Sequence, residues 1–443
     1  MEVSKLKNSE TFNSVFTILI FSSLVFVLRM VAYQSDMYSR LVTVTLVLLA
    51  VLAIFINKKE YVLLSILSLI EFDAAVSPHN VAPKMLALLC IVEVLLNYLK
   101  GARYQLGYRY LFMVILFMYY FVIGLTNFNY ETTGVDINSY FFADLNIFIC
   151  IVFSMYLFRD LEIEKVKFVL YVLAIGYILF VFWGYINNLK SLNVETREYI
   201  GYTSQLTLLI AVFSIRFFLH RQLIDLVILI SIFALMVITK NVISQNLLII
   251  LTSLVAALMY MTMKMRVFYI LLFTILLAVI SNVTYISNDN IIHKITNITS
   301  IVSSDSLYDV SISPLIRILE MMNILSEMNW FTFFGGGFGS YFTDQAYPFP
   351  PLTTFDFSSD QINAGVYFIP HNFNYLLLKF GMLYPIAFIY LLMKINSTSS
   401  LNAKSILCAF LLFSMLNIGF TYVPSIIFGV VLSNVFRQKN NNA

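Results

Sequence analysis

Charge is what this chain has least of. Only 12% of its 443 residues are Asp, Glu, Lys or Arg, and the net charge is +3. A soluble domain carries about 25% charged residues, so a water-soluble globular protein of this length lacks the polar surface it needs. Cysteine is scarce as well: Cys90, Cys150 and Cys408 lie inside apolar runs, with no metal-ligand spacing and no disulfide framework. No block of basic residues offers a nucleic-acid surface. Disorder needs low hydrophobicity, and here 60% of residues are hydrophobic and 16% aromatic, with a mean hydropathy of +0.86. The solvent of this chain is mostly lipid.

Fourteen apolar segments approach the roughly 17–25 residues of a membrane-spanning helix. They are 13–33, 41–57, 61–76, 83–99, 109–127, 140–158, 167–187, 202–219, 223–239, 246–263, 267–283, 371–394, 405–420 and 422–436. The runs are continuous and do not alternate, which excludes barrel strands. The basic start MEVSKLK has no small-residue cleavage site after it, so the first run reads as a membrane helix and not a signal peptide. The expected fold is an all-α polytopic membrane protein in three parts: spans 1–11 in residues 1–283, a large loop over 284–370, and spans 12–14 in 371–443.

Lys and Arg in the short loops set the orientation. Alternate loops carry Lys58-Lys59, Lys100/Arg103/Arg109, Arg159/Lys165/Lys167, Arg216/Arg221, Lys264/Arg266, Lys394/Lys404 and Arg437/Lys439. The opposite loops hold mostly single positives: Arg40, Lys84, Lys190, Arg197, Lys240, Lys294 and Arg317. This places both termini in the cytoplasm and the 284–370 loop outside. Within that loop, Ser313-Pro314 opens a helix signal. Leu315, Ile318, Leu319, Met322 and Leu325 form its apolar face and Arg317, Glu320 and Glu327 fall off it, the pattern of a helix lying on the outer membrane interface.

Arg197, Arg317 and His371 all fall on that outer side. An arginine fork suits phosphate oxygens, and histidine moves a proton near neutral pH, so the three suit a lipid-pyrophosphate substrate. Taken singly, each has a plainer reading: a solvated topology charge for Arg197, a lipid-headgroup contact of an interfacial helix for Arg317, a helix cap for His371. Lys379 sits two turns beyond His371 in an apolar run, at a depth of about 12 Å. A charge there must pair or face a wet cavity. His371, Tyr375 and Lys379 share one flank, and Asp144, Glu71 and Asp73 are the candidate partners. A structural ion pair and a functional charge are equally good readings of Lys379. Gly335, Gly336, Gly337 and Gly339 permit a tight turn or a close backbone approach to a ligand, without the Lys-Ser/Thr of a phosphate loop. No HExxH, Walker, G-x-S-x-G or Asp-x-Asp pattern is present.

These elements resemble the O-antigen polymerase (Wzy-type) and O-antigen ligase superfamily. The resemblance rests on Pro370-His371-Asn372 with Gly381, on Arg317 with Trp330 and the Gly335–Gly339 turn, and on Arg197 with Gly201. It departs from that family at TKNVISQN, which holds Lys240 where many relatives carry Ser-Arg. The resemblance implies a GT-C-like, metal-independent glycosyltransferase without a cofactor, acting at the periplasmic face of a bacterial inner membrane. Its implied partners are an undecaprenyl-pyrophosphate-linked oligosaccharide, the lipid bilayer and a chain-length-regulating membrane protein. His371, Arg317 and Arg197 are then the expected catalytic residues. Asn372, Lys379, Tyr375, Gly337, Gly339 and Trp330 are the expected substrate contacts, with sugar selectivity in Trp330, Tyr341, Tyr347 and Phe349. Fourteen spans favour a polymerase over a ligase, which resembles a protein of about twelve. A lipid-linked-oligosaccharide flippase is the competing class, and it predicts charges lining a central cavity.

Overall fold

The computed structural model describes residues 2–69, 81–101, 108–126, 136–187, 204–238, 243–267, 269–270, 312–328, 333–352, 357–416 and 421–437. These are overwhelmingly helical. The described helices ahead of the large loop include α1 (Glu2–Gln34), α2 (Asp36–Phe55), α3 (Lys59–Leu69), α4 (Val81–Leu99), α5 (Tyr108–Thr126), α6 (Ile137–Leu157), α7 (Val166–Ile186), α8 (Ser204–His220), α9 (Leu223–Ile238) and α10 (Ile243–Leu258). Five described helices are long and apolar enough to cross a membrane, or six if one sharply bent pair counts as a single span. Large apolar side chains such as Leu48, Leu52, Ile115, Leu99 and Met263 stand exposed. That belt is costly in water and matched in a bilayer. Most of the eleventh expected span, 267–283, lies outside the described residues.

The core is built where helices of distant sequence meet. The last helix, α16 (Tyr422–Arg437), packs along α6, and α15 (Leu401–Leu416) packs along α8. Small residues let the backbones approach: a Cβ added at Gly429 of α16 would stand 2.6 Å from the Ile151 carbonyl oxygen of α6. Loops assigned to one side by their charge gather at one end. Lys59, Lys100 and Arg159 line one cavity there, and Arg437 Nη1 donates to the Asp160 carbonyl at 3.1 Å. Arg216, expected among the loop positives, is instead buried. It pairs with Asp225 at 3.2 Å and lies near the Tyr171 ring, and a carboxylate partner offsets the cost of burying its charge.

The described part of 312–370 is folded. Helix α11 (Ile312–Glu327) starts one residue ahead of the expected Ser313 cap. It packs on a two-stranded ribbon, β1 (Phe342–Thr343) paired antiparallel with β2 (Val366–Tyr367), and a short helix, α12 (Ser359–Ala364), leads into β2. Phe342, Phe349, Phe357 and Tyr367 fill its small core with ring centroids 4.6–6.4 Å apart. The buried face of α11 differs from the expected one. It comprises Leu315, Ile316, Leu319, Glu320, Asn323 and Ile324, and Leu325 is exposed. The helix turns two polar side chains inward because the neighbouring chain supplies their partners, so it is a packed element of a cap and not a helix lying free on the interface.

The expected span 371–394 is two helices, α13 (Asn372–Phe380) and α14 (Leu383–Asn396), meeting at 118°. Gly381 makes the break with φ 58 and ψ −149, a combination that side chains do not tolerate. Lys379 lies before the break, on the unbroken helix that begins at Asn372. A Cβ at Gly381 would also stand 2.3 Å from both Gly335 N and the Phe333 carbonyl oxygen. Gly381→Ala is therefore expected to cost at least about 2–3 kcal/mol from the dihedral alone. Gly101→Ala, where φ is +74 but nothing lies within 4 Å, should cost about 1 kcal/mol. Thermal unfolding of the two purified variants in detergent tests this; equal melting temperatures would refute the account of the bend.

Candidate functional site

The site grows from the way α13 is held at both ends. At its C-terminal end, helix carbonyls need donors from outside the helix. The glycine-rich turn supplies them: the Gly336 N–H donates to the Leu378 carbonyl at 2.9 Å and the Gly337 N–H to the Lys379 carbonyl at 3.2 Å. Gly335, Gly337 and Gly339 all take positive φ, which curls these N–H groups onto the helix end. Backbone then lies against backbone. A Cβ at Gly335 would meet the Lys379 carbonyl oxygen at 2.2 Å, and one at Gly337 the Tyr120 carbonyl oxygen of α5 at 2.6 Å. Gly337 and Gly339, expected beside a ligand, lie against Tyr120 and Phe141; the close approach they permit is to the protein's own helices.

Below α13 sits Asp144 of α6, 4% exposed. Its Oδ2 lies 2.8 Å from Lys379 Nζ and accepts the Gly339 N–H at 2.8 Å, and its Oδ1 accepts from the Tyr375 hydroxyl. Lys379 Nζ also donates to the Ser340 carbonyl at 2.7 Å. Of the two readings of Lys379, the structure shows the ion pair. Tyr375 and Lys379 share the flank expected of them, but both are buried and committed to Asp144. Glu71 and Asp73 lie outside the described residues.

At the N-terminal end of α13 the arrangement is open. His371 occupies the N-cap position without capping through its side chain. Glu320 of α11, fully buried, accepts from His371 Nδ1 at 2.6 Å, from the His371 backbone N–H at 3.1 Å and from Asn374 Nδ2 at 2.8 Å. Asn374 Nδ2 also donates to the Arg317 carbonyl at 2.7 Å, which locks α11 to α13. The His371 side chain is 19% exposed, with the Phe357 ring edge-on at 5.9 Å. A carboxylate at Nδ1 selects the tautomer protonated there, so chemistry at this ring runs through Nε2. Arg317 lies one turn before Glu320 on α11 and is half-buried; residues three apart share a helix face.

His371 and the Arg317 backbone are thus linked through Glu320 and Asn374. Arg197 and Trp330 lie outside the described residues, as does the side chain of Asn372. Among the aromatics, Phe349 belongs to the cap's core. Asn323 fixes the Tyr347 backbone by two hydrogen bonds of 2.9 and 2.8 Å. Tyr341 packs on Phe368, 5.5 Å between centroids. Sequence reasoning passed over Glu320 and Asn374. The available signal was spacing: Glu320 falls in register with Ile316 and Asn323, and Asn374 stands three residues from His371. No protein-family model, curated protein or solved structure matches the chain.

Removing one partner of a buried pair strands the other charge. Lys379→Met alone is expected to destabilise by about 3–5 kcal/mol, and the double variant Asp144→Asn/Lys379→Met by less than that. Chemical or thermal unfolding of both checks it. A double variant worse than Lys379→Met would mean that Asp144 is held mainly by Tyr375 and Gly339.

Proposed function

We propose that this chain is an O-antigen polymerase of the Wzy type. On this reading it joins undecaprenyl-pyrophosphate-linked repeat units at the periplasmic face of a bacterial inner membrane, with fourteen spans, a GT-C-like fold and both termini in the cytoplasm. The observation that carries it is the Glu320–His371 pair beside Arg317, at the end of the bundle opposite the basic loops. Glu320 holds His371 so that Nε2 faces the acceptor. The acceptor sugar hydroxyl attacks the anomeric carbon of the lipid-linked glycan and gives its proton to Nε2. The bond from that carbon to the pyrophosphate oxygen breaks, and its electron pair leaves with the pyrophosphate. Arg317, joined by Arg197, stabilises that growing charge, the electrostatic contribution that usually dominates such transfers. The cap formed by α11 and the aromatic ribbon covers the reacting groups.

The flippase alternative predicts charges along a central path. Among the buried charges, Lys379 and Arg216 are satisfied by Asp144 and Asp225 and Arg29 lies over the Tyr177 ring, 3.6 Å from its centroid; charges engaged within the protein favour the enzyme.

Purified protein supplied with lipid-linked repeat units, without ATP or an ion gradient, should lengthen the glycan. His371→Ala should lower the rate by about 10²–10⁴-fold, the usual share of a general base, and Glu320→Gln by about 10–100-fold, as for other groups that orient a histidine. In a strain lacking its own polymerase, Arg197→Ala, Arg317→Ala and His371→Ala should abolish the long-chain ladder and leave one repeat unit on lipid A-core. Ladders from all three variants at normal expression would refute the site. Loss of every attached unit would make the protein a ligase, and movement of substrate across vesicles without lengthening would make it a flippase.

A further inference from the structure

The basic end of the bundle holds a second feature, unconnected with the proposed transfer. The ends of α2 and α4 and the segment after α6 enclose a cavity of about 190 Å³, lined by Asn57, Lys59, Glu93, Asn97, Lys100 and Arg159, with Asp160 at its edge. At about 30 Å³ per water it has room for roughly six waters, enough for a phosphate group that keeps part of its hydration. Lys59 and Arg159 share the one carboxylate of Glu93, with Arg159 Nη2 at 2.8 Å. Asp160 lies 3.5 Å from Arg159 Nε but points largely to solvent, 65% exposed. Lys100 brings the lining to three cations against two carboxylates, an excess of one positive charge. The helices α2, α4 and α6 end here and present carbonyl groups, and only α3, which begins at Lys59, presents its N-terminus. An anion in this cavity is held mainly by side chains: one guanidinium, the ammonium groups and two carboxamides.

The helices that carry the cavity face lipid on their other flanks: Leu52 and Phe55 of α2, and Ile56 just after it, are exposed at 55–64%, and Leu95 and Leu99 of α4 at 55% and 78%. A polar, cationic cavity opening beside lipid-facing side chains matches a molecule with a phosphate at one end and hydrocarbon at the other. A free phosphate would make no use of those apolar flanks. Arg159 lies 15 residues beyond Asp144, roughly 22 Å along a helical path, so the cavity is separate from the His371 site. We propose that it binds the phosphate group of an anionic phospholipid in the leaflet at the basic end, with the acyl chains lying on the exposed ends of α2 and α4.

Native mass spectrometry of the full chain tests this, with phosphatidylglycerol titrated against phosphatidylcholine of the same acyl chains. The wild type should retain one phosphatidylglycerol preferentially. Each basic residue near a lipid phosphate contributes about 1 kcal/mol, or about fivefold in affinity. Lys100→Gln should therefore weaken retention about fivefold and Lys100→Gln/Arg159→Gln about 25-fold, while Lys394→Gln, outside this cavity, should leave it unchanged. Lys100 is exposed and stands apart from the Glu93 pair, so its variant tests the site even if the Arg159 variant fails to fold. Equal retention of the two lipids, or equal losses in Lys100→Gln and Lys394→Gln, would overturn the proposal. Inorganic phosphate that binds in neutral-lipid micelles and is lost in Lys100→Gln, with no preference between the lipids, would assign the cavity to free phosphate and overturn it too.

Discussion

One buried carboxylate organises the half of this protein that holds the histidine site. Asp144 takes donors from three groups in two separate segments: Lys379 and Tyr375 of α13, and the Gly339 backbone of the glycine turn. An ionised carboxylate in a low-dielectric interior is tolerated only when its lone pairs are met by a cation and by hydrogen bonds together. The requirement works in both directions. Asp144 holds α13 at a fixed height on α6, and α13 in turn gives Asp144 its charge partner. With α13 fixed, His371 falls at its free end and Asn374 one turn in. Glu320 on α11 then has a defined place to meet both.

Much of this was legible in the residues, and the part that was not has a physical cause. Composition alone placed the chain in lipid, because apolar excess and charge scarcity are global properties that no local packing can reverse. The positions of Lys59, Lys100 and Arg159 sorted correctly to one end, since loop charge reflects topology directly. Lys379 demanded a partner, and Asp144 was among the three candidates. What failed was continuity. An apolar run through Gly381 reads as one span, and nothing in hydropathy records that Gly335 and Phe333 occupy the space where a straight helix would pass. Glu320 was missed for a related reason. A charged residue beside an apolar stripe is read as facing water unless its partner is known, and His371 lies 51 residues away.

A second buried charge, Arg216, follows the same logic. Arg216 meets Asp225, Tyr171 reaches that same carboxylate at 2.6 Å, and Asn402 also contacts the guanidinium. This network ties α7, α8, α9 and α15 where the lipid supplies no hydrophobic drive for helices to associate. In such a solvent polar groups give pairing its address, and apolar surface gives only its solubility.

The range of the Asp144 contacts has a consequence for how the protein comes into being. Its partners lie 195 and 231 residues further along the chain. When α6 first enters the membrane, neither the glycine turn nor α13 has been synthesised, and contacts of such span close late because the loop between them must first be ordered. Asp144 therefore waits, hydrated or provisionally paired, until nearly the whole chain has emerged. The histidine site is thus assembled last, and a chain interrupted anywhere before α13 carries a vacant socket in the N-terminal half of α6.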